Sequence, residues 1–167
     1  MNSSLFLQEV HAVIFDLDDT LVNSQAAWHK GFGEVIADLW ERGTKISNFK
    51  SAEAIYEGPI REGIEKAQRL RSNSEWNDEY IESAFRDFFG NYLGLSEKKC
   101  VELVSRYKVA WPKHLTLFGD VHAVLESCFG KIPLGVITNG LTQDQNLKLN
   151  IEIGQRKLRD YFDVCLI

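Results

Sequence analysis

The sequence predicts an α/β protein in which a parallel sheet of about three strands is interrupted by a long α-helical insertion. Three short apolar runs that contain β-branched residues lie near the two ends at residues 10–17, 133–138 and 164–167, and the second is bounded by Gly130 and by Asn139-Gly140. Their lengths are typical of buried parallel strands. Between residues 25 and 111 the apolar period becomes helical. Strands that alternate with helices imply right-handed crossovers and therefore a parallel sheet.

The insertion begins with two predicted amphipathic helices. Apolar residues recur at the spacing of one helix face over residues 28–40, and Gly43 supplies a stop. An aromatic-rich stripe repeats that spacing over residues 76–89 and ends at Gly90. We expect both stripes to form core rather than a ligand cage.

Capping and breaking residues predict the rest of the insertion. Ser96 is the expected N-cap of a helix that stops near Trp111 and Pro112. We expect the dipeptide Gly58-Pro59 to break a weaker helical segment. The apolar residues predicted for the capped helix are Val101, Val104 and Tyr107.

Two further helices, over residues 120–129 and 142–154, are predicted on either side of the second strand. The middle helices are too numerous for a single crossover. We therefore expect a discontinuous core of residues 1–22 and 112–167 and a helical cap of residues 23–111.

Composition excludes several classes of function. The 167 residues carry a net charge of -5 and no basic stripe, which argues against sequence-independent nucleic-acid binding. No apolar run approaches the ~20 residues that cross a membrane, and the N-terminus lacks the basic start of a signal peptide. Three widely spaced cysteines without a CxxC pair predict reduced thiols in a cytoplasmic protein. The four histidines are isolated, and we expect them to be structural or exposed; the alternative is that His29 and Lys30, at the start of the insertion, face substrate.

Polar residues follow the first two predicted strands, at the sheet edge where open α/β sheets bind ligands. They are Asp16-Leu17-Asp18-Asp19-Thr20 and Thr138-Asn139-Gly140. Crowded carboxylates repel one another unless a cation offsets their charge. The alternative is an acidic turn in which Asp19 and Thr20 only terminate the strand, with Thr20 bonded to the backbone, and Asn139-Gly140 is only a turn.

Paired carboxylates at a strand end are suited to phosphoryl transfer. The first can attack phosphorus and form an aspartyl-phosphate. A second carboxylate two residues later returns to the same side of an extended backbone, where it can protonate the leaving oxygen and then activate water. Mg²⁺ would offset the crowded charge. The Thr138 hydroxyl and the amides of the following helix would hold the phosphate.

These stretches resemble motifs of the haloacid dehalogenase-like (HAD) hydrolases. The resemblance rests on DLDDTLV after one strand, VITNG after another, and the later segments at residues 145–149 and 161–163. It implies a Rossmannoid core with a C1-type helical cap inserted after the first motif. It also implies Mg²⁺-dependent hydrolysis of phosphate esters rather than dehalogenation. The family's phosphatases have an aspartate two residues after the nucleophile, whereas its dehalogenases have an apolar or aromatic residue there.

The resemblance also assigns roles by position. Asp16 is the implied nucleophile and a Mg²⁺ ligand, and Asp18 is the implied acid/base whose backbone carbonyl also binds Mg²⁺. Thr138 binds the phosphoryl group and Asn139 lines the pocket. The Thr-Asn-Gly form resembles the nucleotidase and sugar-phosphate phosphatase branches, so a small phosphorylated metabolite is the expected substrate.

Other parts of the family pattern are expected to be missing, as in a C-terminally truncated member. A lysine after the third strand and aspartates after the fourth would lie beyond Ile167. Lys148 follows Thr138 by about three helical turns, so we expect it to point away from the phosphate and to serve the surface or helix packing. Asp160 and Asp163 lie at the wrong end of the third strand to replace the missing metal ligands.

Without a fourth strand beside it, the first strand is expected to leave an apolar edge that pairs with a second copy or a partner. The main alternative to an enzyme is therefore a non-catalytic remnant that binds phosphate or a protein. A response-regulator receiver is disfavoured, because it would carry its acceptor aspartate on a mid-chain strand and would have no long helical insertion after the first strand. A P-loop kinase is excluded because no GxxxxGK[ST] occurs.

Overall fold

A computed structural model describes residues 10–41, 45–70 and 79–167. The chain divides into two compact units. The first combines the residues up to Ser24 with Leu115–Ile167, and the second is Gln25–His114. These boundaries lie two and three residues beyond those expected from the sequence, which were 22/23 and 111/112.

The described residues form short strands, α-helices and several tighter or wider helical turns. Two segments are π-helical, Tyr56–Ile60 and Arg86–Tyr92, and three are 3₁₀ turns, Lys45–Asn48, Trp111–His114 and Leu158–Tyr161. No helix among these residues is long and apolar enough to cross a membrane. In chain order the strands and α-helices are β1 Val13–Phe15, α1 Ser24–Glu41, α2 Ala52–Ile55, α3 Arg61–Leu70, α4 Glu79–Phe85, α5 Glu97–Ala110, α6 Val121–Cys128, β2 Leu134–Ile137, α7 Thr142–Leu149, β3 Glu152–Ile153, β4 Arg156–Lys157 and β5 Val164–Leu166.

The first unit contains the predicted parallel sheet, which confirms the α/β fold class. Its strand order is β1-β2-β5, and both neighbouring pairs are parallel. Phe15 lies opposite Val136, so the chain leaves β1 and β2 at the same edge of the sheet. Asp163 fixes the start of β5, because its carboxylate accepts the Leu134 amide at 2.9 Å while its own amide bonds the Leu134 carbonyl at 2.8 Å.

One face of this sheet is covered and the other is exposed. Leu134 and Val136 of β2 pack into a core cluster with residues of the helices and loops, including Leu17, Leu125 and Leu149. On the opposite face the side chain of Ile14 is 65% exposed. The sequence predicted buried strands, and in the described residues that holds for one face of the sheet only. The other large apolar side chains exposed on β2 and β5 are Ile137, Val164 and Leu166.

Helix α7 is shorter than predicted. It ends at Leu149, and the expected continuation to Gly154 is instead the antiparallel hairpin of β3 and β4. Gly154 has φ +60°, a left-handed conformation that suits the turn and would interrupt a helix. The amide of Leu158 returns to the Ile151 carbonyl at 2.8 Å and closes this hairpin against the core.

The helices of the second unit agree with the sequence in position more than in detail. Helix α1 buries Phe32, Val35 and Ile36 as predicted, whereas Gly43 and Trp76 lie outside the described residues. Ser96 caps α5, since its hydroxyl oxygen accepts the Lys99 amide. Val104 and Tyr107 are buried, but Val101 is exposed. The residues Cys100, Leu103, Val104, Tyr107 and Ala110 form the buried stripe of α5 instead.

The two expected helix breaks in the second unit do not occur where predicted. Pro59 lies inside the π-helical turn between α2 and α3, and helix continues through it. A wider turn tolerates the missing proline N–H donor better than a regular α-helical turn. Gly90 likewise lies inside a π-helical segment, and Gly94 at φ +74° ends that segment. The Leu95 amide then bonds the Phe89 carbonyl, which is typical of a helix C-cap.

A polar cluster surrounds Glu57 at the first π-helical turn. Its carboxylate accepts hydrogen bonds from His29 and, at 3.3 Å, from Gln25, and it pairs with Arg61 at 2.9 Å. Burial alone would raise the pKa of Glu57, but these bonds and the Arg61 charge outweigh it and hold that pKa below its ordinary value. His29 is therefore bonded within the second unit, while Lys30 is exposed.

Replacing Glu57 with glutamine is expected to destabilise the chain at neutral pH. A carboxyl group with a lowered pKa in the folded state contributes stability above its unfolded value and loses it as the pH falls through the folded value. We expect Glu57→Gln to reduce the free energy of unfolding by about 0.5–1 kcal/mol at neutral pH and to flatten its decline below about pH 4.5. Urea unfolding across this pH range measures both effects.

Glu62→Gln is the matched control, because Glu62 is an exposed carboxylate of the adjoining helix α3. Its pH profile should follow that of the unmodified chain. Equal profiles for Glu57→Gln and Glu62→Gln would contradict the stabilising role of the Glu57 cluster.

Candidate functional site

The acidic stretch after β1 forms a compact turn. The carbonyl of Leu17 accepts the amides of Leu21 and Val22, each at 3.0 Å, and Leu17 itself is fully buried. Asp19 has φ +55°, a conformation that Asp adopts more readily than most residues. Buried apolar residues thus alternate with the carboxylates of the turn and fix the carboxylates at the sheet edge.

Asp16, the first residue after β1, is exposed. The hydroxyl of Thr20 lies 3.3 Å from its Oδ2 and donates to it. The sequence left open whether Thr20 bonds only the backbone. The structure places its hydroxyl on the candidate nucleophile instead.

Asp18 lies deeper, with 23% of its side chain exposed, and both of its carboxylate oxygens are hydrogen-bonded. Lys148 Nζ lies 2.5 Å from Oδ1, and the hydroxyl of Ser24 donates to the same oxygen. Gln145 Nε2 donates to Oδ2 at 3.1 Å. The carboxylate is therefore held in one orientation by a cation, a hydroxyl and an amide.

Gln145 also connects Asp18 to the turn after β2. Its Oε1 accepts the Thr138 hydroxyl at 3.1 Å, and its Nε2 donates to the Asn139 carbonyl at 3.1 Å as well as to Asp18. Gly140 allows this approach. A Cβ atom there would lie 2.5 Å from Gln145 Nε2, and Gly140 has φ +135°, which side chains rarely adopt.

Apart from tyrosines, the buried polar side chains of the described residues all belong to this one network. They are Ser24, Thr138, Gln145 and Lys148. Burying a polar or charged group is costly unless it is hydrogen-bonded or paired. Among the side chains that the structure describes, no buried nitrogen or oxygen lacks a hydrogen-bond partner. The network is therefore fully satisfied and specifies how α7 packs against the turn after β1.

The predicted position of Lys148 is wrong. Its side chain is only 2% exposed and contacts Asp18, whereas the sequence predicted that it points away from the site. The prediction considered distance along the axis of α7 from Thr138. Because α7 packs alongside the turn after β1, the long lysine side chain reaches the site from the side. Asp160 and Asp163 have structural roles, as their carboxylates accept the amides of Lys157 and Leu134.

The oxygen atoms of the acidic turn are suitable ligands for a Mg²⁺ ion that is held by few protein groups. Mg²⁺ commonly keeps several waters and binds one or two carboxylates together with substrate phosphate. The exposed Asp16 carboxylate and the backbone carbonyl of Asp18 are such donors. Because the Asp18 side chain already contacts Lys148, the backbone carbonyl of Asp18 is the group better placed to bind the metal. Within the described ranges no three His, Cys, Asp or Glu residues form a metal-binding group.

The structure groups most of the predicted site residues and adds three. Asp18, Thr138 and the backbone of Asn139 are linked through Gln145, and Asp16 lies in the same turn as Asp18. Sequence reasoning assigned no site role to Ser24, Gln145 or Lys148. The available signal was spacing, since Gln145 and Lys148 are three residues apart on the α7 face that buries Leu149.

The cysteines form no part of this network. All three are free thiols, and Cys100 and Cys128 are buried. Burial raises the pKa of the Cys100 and Cys165 thiols, which disfavours the reactive thiolate form.

Comparison with known proteins identifies related sequences. A model of the haloacid dehalogenase-like hydrolases matches residues 10–167. The human N-acylneuraminate-9-phosphatase is 27% identical over 164 residues, which cover 96% of this chain and 62% of that enzyme. The chain thus spans less than two thirds of the length of this relative.

Solved structures share the fold. The HAD-hydrolase YfnB from Bacillus subtilis, solved bound to magnesium, matches with a TM-score of 0.64 and 20% identity over 93% of this chain and 62% of its own. A haloacid dehalogenase-like hydrolase from Xanthomonas campestris gives a TM-score of 0.64 and 16% identity, covering 94% of this chain and 60% of its own. At these identities the similarity shows the fold.

Replacing Gly140 with alanine is expected to disrupt the network. The added Cβ would displace Gln145, and the positive φ would be strained, so we expect a loss of about 1–3 kcal/mol in the free energy of unfolding. Urea unfolding measures the loss. Gly130→Ala is the control, since Gly130 has φ +70° but no atom within 4 Å of a Cβ. If the two variants lose equal stability, the close contact with Gln145 is not responsible.

Proposed function

The chain belongs to the haloacid dehalogenase-like hydrolase family, and on that basis we propose that it hydrolyses phosphomonoesters through an aspartyl-phosphate on Asp16. The observation that carries the proposal is the single amide of Gln145 bonded to both Asp18 and Thr138. It links the candidate acid/base to the candidate phosphate-binding hydroxyl. Asp16 begins the same turn and is exposed for attack.

The proposed reaction has two steps on these residues. In the first, Asp18 starts as the carboxylic acid. An Asp16 carboxylate oxygen forms a bond to phosphorus, the bond from phosphorus to the ester oxygen breaks, and Asp18 gives its proton to the leaving alcohol and becomes the carboxylate that Lys148 pairs with. In the second, Asp18 takes a proton from water as the water oxygen bonds to phosphorus. The bond to Asp16 then breaks, which releases inorganic phosphate and restores both carboxyl groups.

The other residues would bind and orient the phosphoryl group. On binding phosphate, the Thr138 hydroxyl would turn its one hydrogen from Gln145 Oε1 to a phosphate oxygen, and the amides at the start of α7 are donors to the other oxygens. Mg²⁺, bound by the Asp16 carboxylate and the Asp18 carbonyl, would neutralise phosphoryl charge. Asn139 is exposed beside Thr138 and would line the pocket.

We propose a small phosphorylated metabolite, a sugar phosphate or a nucleotide, as the substrate. The human relative is an N-acylneuraminate-9-phosphatase by name, which supports a phosphosugar. The proposed compartment is the cytoplasm, and the free thiols of all three cysteines support a reducing environment.

Substitution of Asp16 tests the covalent step. We expect the chain with Mg²⁺ to hydrolyse para-nitrophenyl phosphate, and Asp16→Asn to reduce the rate to background because the nucleophile is lost. Asp18→Asn should reduce kcat by about 10²–10⁴-fold, the usual contribution of a general acid/base. Intact mass after acid quenching should show a phosphoryl adduct that is absent from Asp16→Asn.

Asp120→Asn is the matched control, because Asp120 is an exposed carboxylate of the same unit and lies outside the network. It should retain the full rate. Equal rates for the unmodified chain and Asp16→Asn would contradict the proposed hydrolysis.

A second candidate function is a non-catalytic binding module, and the exposed face of the sheet favours it. Ile14, Ile137 and Leu166 are all exposed on strands of this sheet, and β1 is an edge strand. Apolar edge strands pair readily with other chains. The partner proposed for this surface is a second copy of the chain.

Sedimentation velocity tests this association. We expect a dimer whose fraction rises with concentration, and we expect Ile14→Lys to shift it to monomer because the contact would bury the added charge. Thr116→Lys, an exposed position of the same unit, is the control and should leave the dimer intact. A folded monomer at all concentrations would rule out self-association through this surface.

A further inference from the structure

We propose that Lys148 is a positioning residue that, together with Gln145, holds the Asp18 carboxylate in place and couples it to Thr138. This inference rests on the proposed function, in which Asp18 is the acid/base and Thr138 binds phosphate. Lys148 itself lies on α7 and is assigned no contact with the phosphoryl group.

The first support is the burial of the charge. Lys148 is 2% exposed, and its ammonium lies 2.5 Å from Asp18 Oδ1. Removing an ammonium from water costs several kcal/mol unless a paired charge offsets it. Buried ion pairs are often no more stabilising than apolar residues of similar size. Stability alone therefore does not account for a lysine at this position, where methionine could fill the same space.

The second support is the distribution of bonds over the two carboxylate oxygens. Lys148 and Ser24 bond Oδ1, and Gln145 bonds Oδ2. A carboxylate held at both oxygens cannot rotate about its Cβ–Cγ bond without losing at least one partner. Since Gln145 and Lys148 are three residues apart on α7, one rigid helix supplies bonds to both oxygens.

The third support is the fixed orientation of the Gln145 amide. Its Nε2 faces two acceptors, Asp18 Oδ2 and the Asn139 carbonyl, and its Oε1 faces the Thr138 hydroxyl. A flipped amide would place its oxygen against those two acceptors, which is repulsive. The amide therefore transmits any displacement of Thr138 to Asp18, and the network couples phosphate binding to the position of the acid/base.

A double-mutant cycle on turnover tests the coupling. We expect Lys148→Met to reduce kcat for para-nitrophenyl phosphate by about 10–100-fold, the usual cost of a misplaced catalytic group, with little change in KM. Adding it to Asp18→Asn should cause little further loss, because the residue that it positions is already disabled. Lys148→Arg should recover part of kcat, and Lys157→Met, an exposed lysine of the same unit, should leave it unchanged. Multiplicative losses in the double mutant would overturn the inference.

A second cycle, on urea unfolding midpoints, needs no turnover. We expect Lys148→Met and Asp18→Asn each to lower the midpoint, and the double mutant to lie close to the single mutants, since neither charge is then left buried without its partner. Additive midpoint shifts would overturn the proposal that Lys148 holds Asp18 in place, even if the chain is active. Coupled midpoints without turnover would support the pairing of Lys148 with Asp18 and overturn the proposed hydrolysis instead.

Discussion

Burial of the Lys148 ammonium against the Asp18 carboxylate is the interaction on which the arrangement of the first unit depends. A lysine that is 2% exposed must have its charge offset, and Asp18 is the carboxylate within 2.5 Å. This pairing requires α7 to pack with one face against the turn after β1. The other buried polar groups then follow, because Ser24 and Gln145 bond the remaining positions on the same carboxylate.

The sheet provides the framework for this pair. Parallel β1 and β2 end at the same edge, so the turn that carries Asp18 and the turn that carries Thr138 are neighbours. Gly140 then lets α7 begin close enough for Gln145 to reach both turns. Asp163 joins β5 to the start of β2, away from that edge, and so stabilises the sheet without entering the site.

The sequence predicts the elements of this fold better than their ends or their environment. Strand positions, the insertion and the Ser96 cap follow from local patterns that persist in the folded chain. The break at Pro59 fails, because a π-helical turn accommodates the missing donor. The exposed face of the sheet also differs from prediction. An apolar run such as residues 13–15 predicts a strand, but it does not indicate whether both faces of the sheet are covered.

The site shows the same division between local and tertiary information. Asp16, Asp18, Thr138 and Asn139 are predicted from the sequence because they belong to the short polar stretches that follow β1 and β2. Lys148 is not, since its position depends on how α7 packs. Distance along a helix axis says little about a long side chain that reaches sideways. The buried i, i+3 pair with Gln145 becomes visible as a site only when the turn after β1 is placed beside it.

The two carboxylates of the acidic turn differ in ways that suit different roles. Asp16 is exposed and is bonded by a hydroxyl at 3.3 Å, so it can approach an incoming phosphorus without losing a strong contact. Asp18 is held by a cation, a hydroxyl and an amide, so its carboxylate keeps one orientation. A group that transfers a proton acts best when it is held within hydrogen-bond reach of its target. In the proposed reaction, this difference supports attack by Asp16 and proton transfer by Asp18.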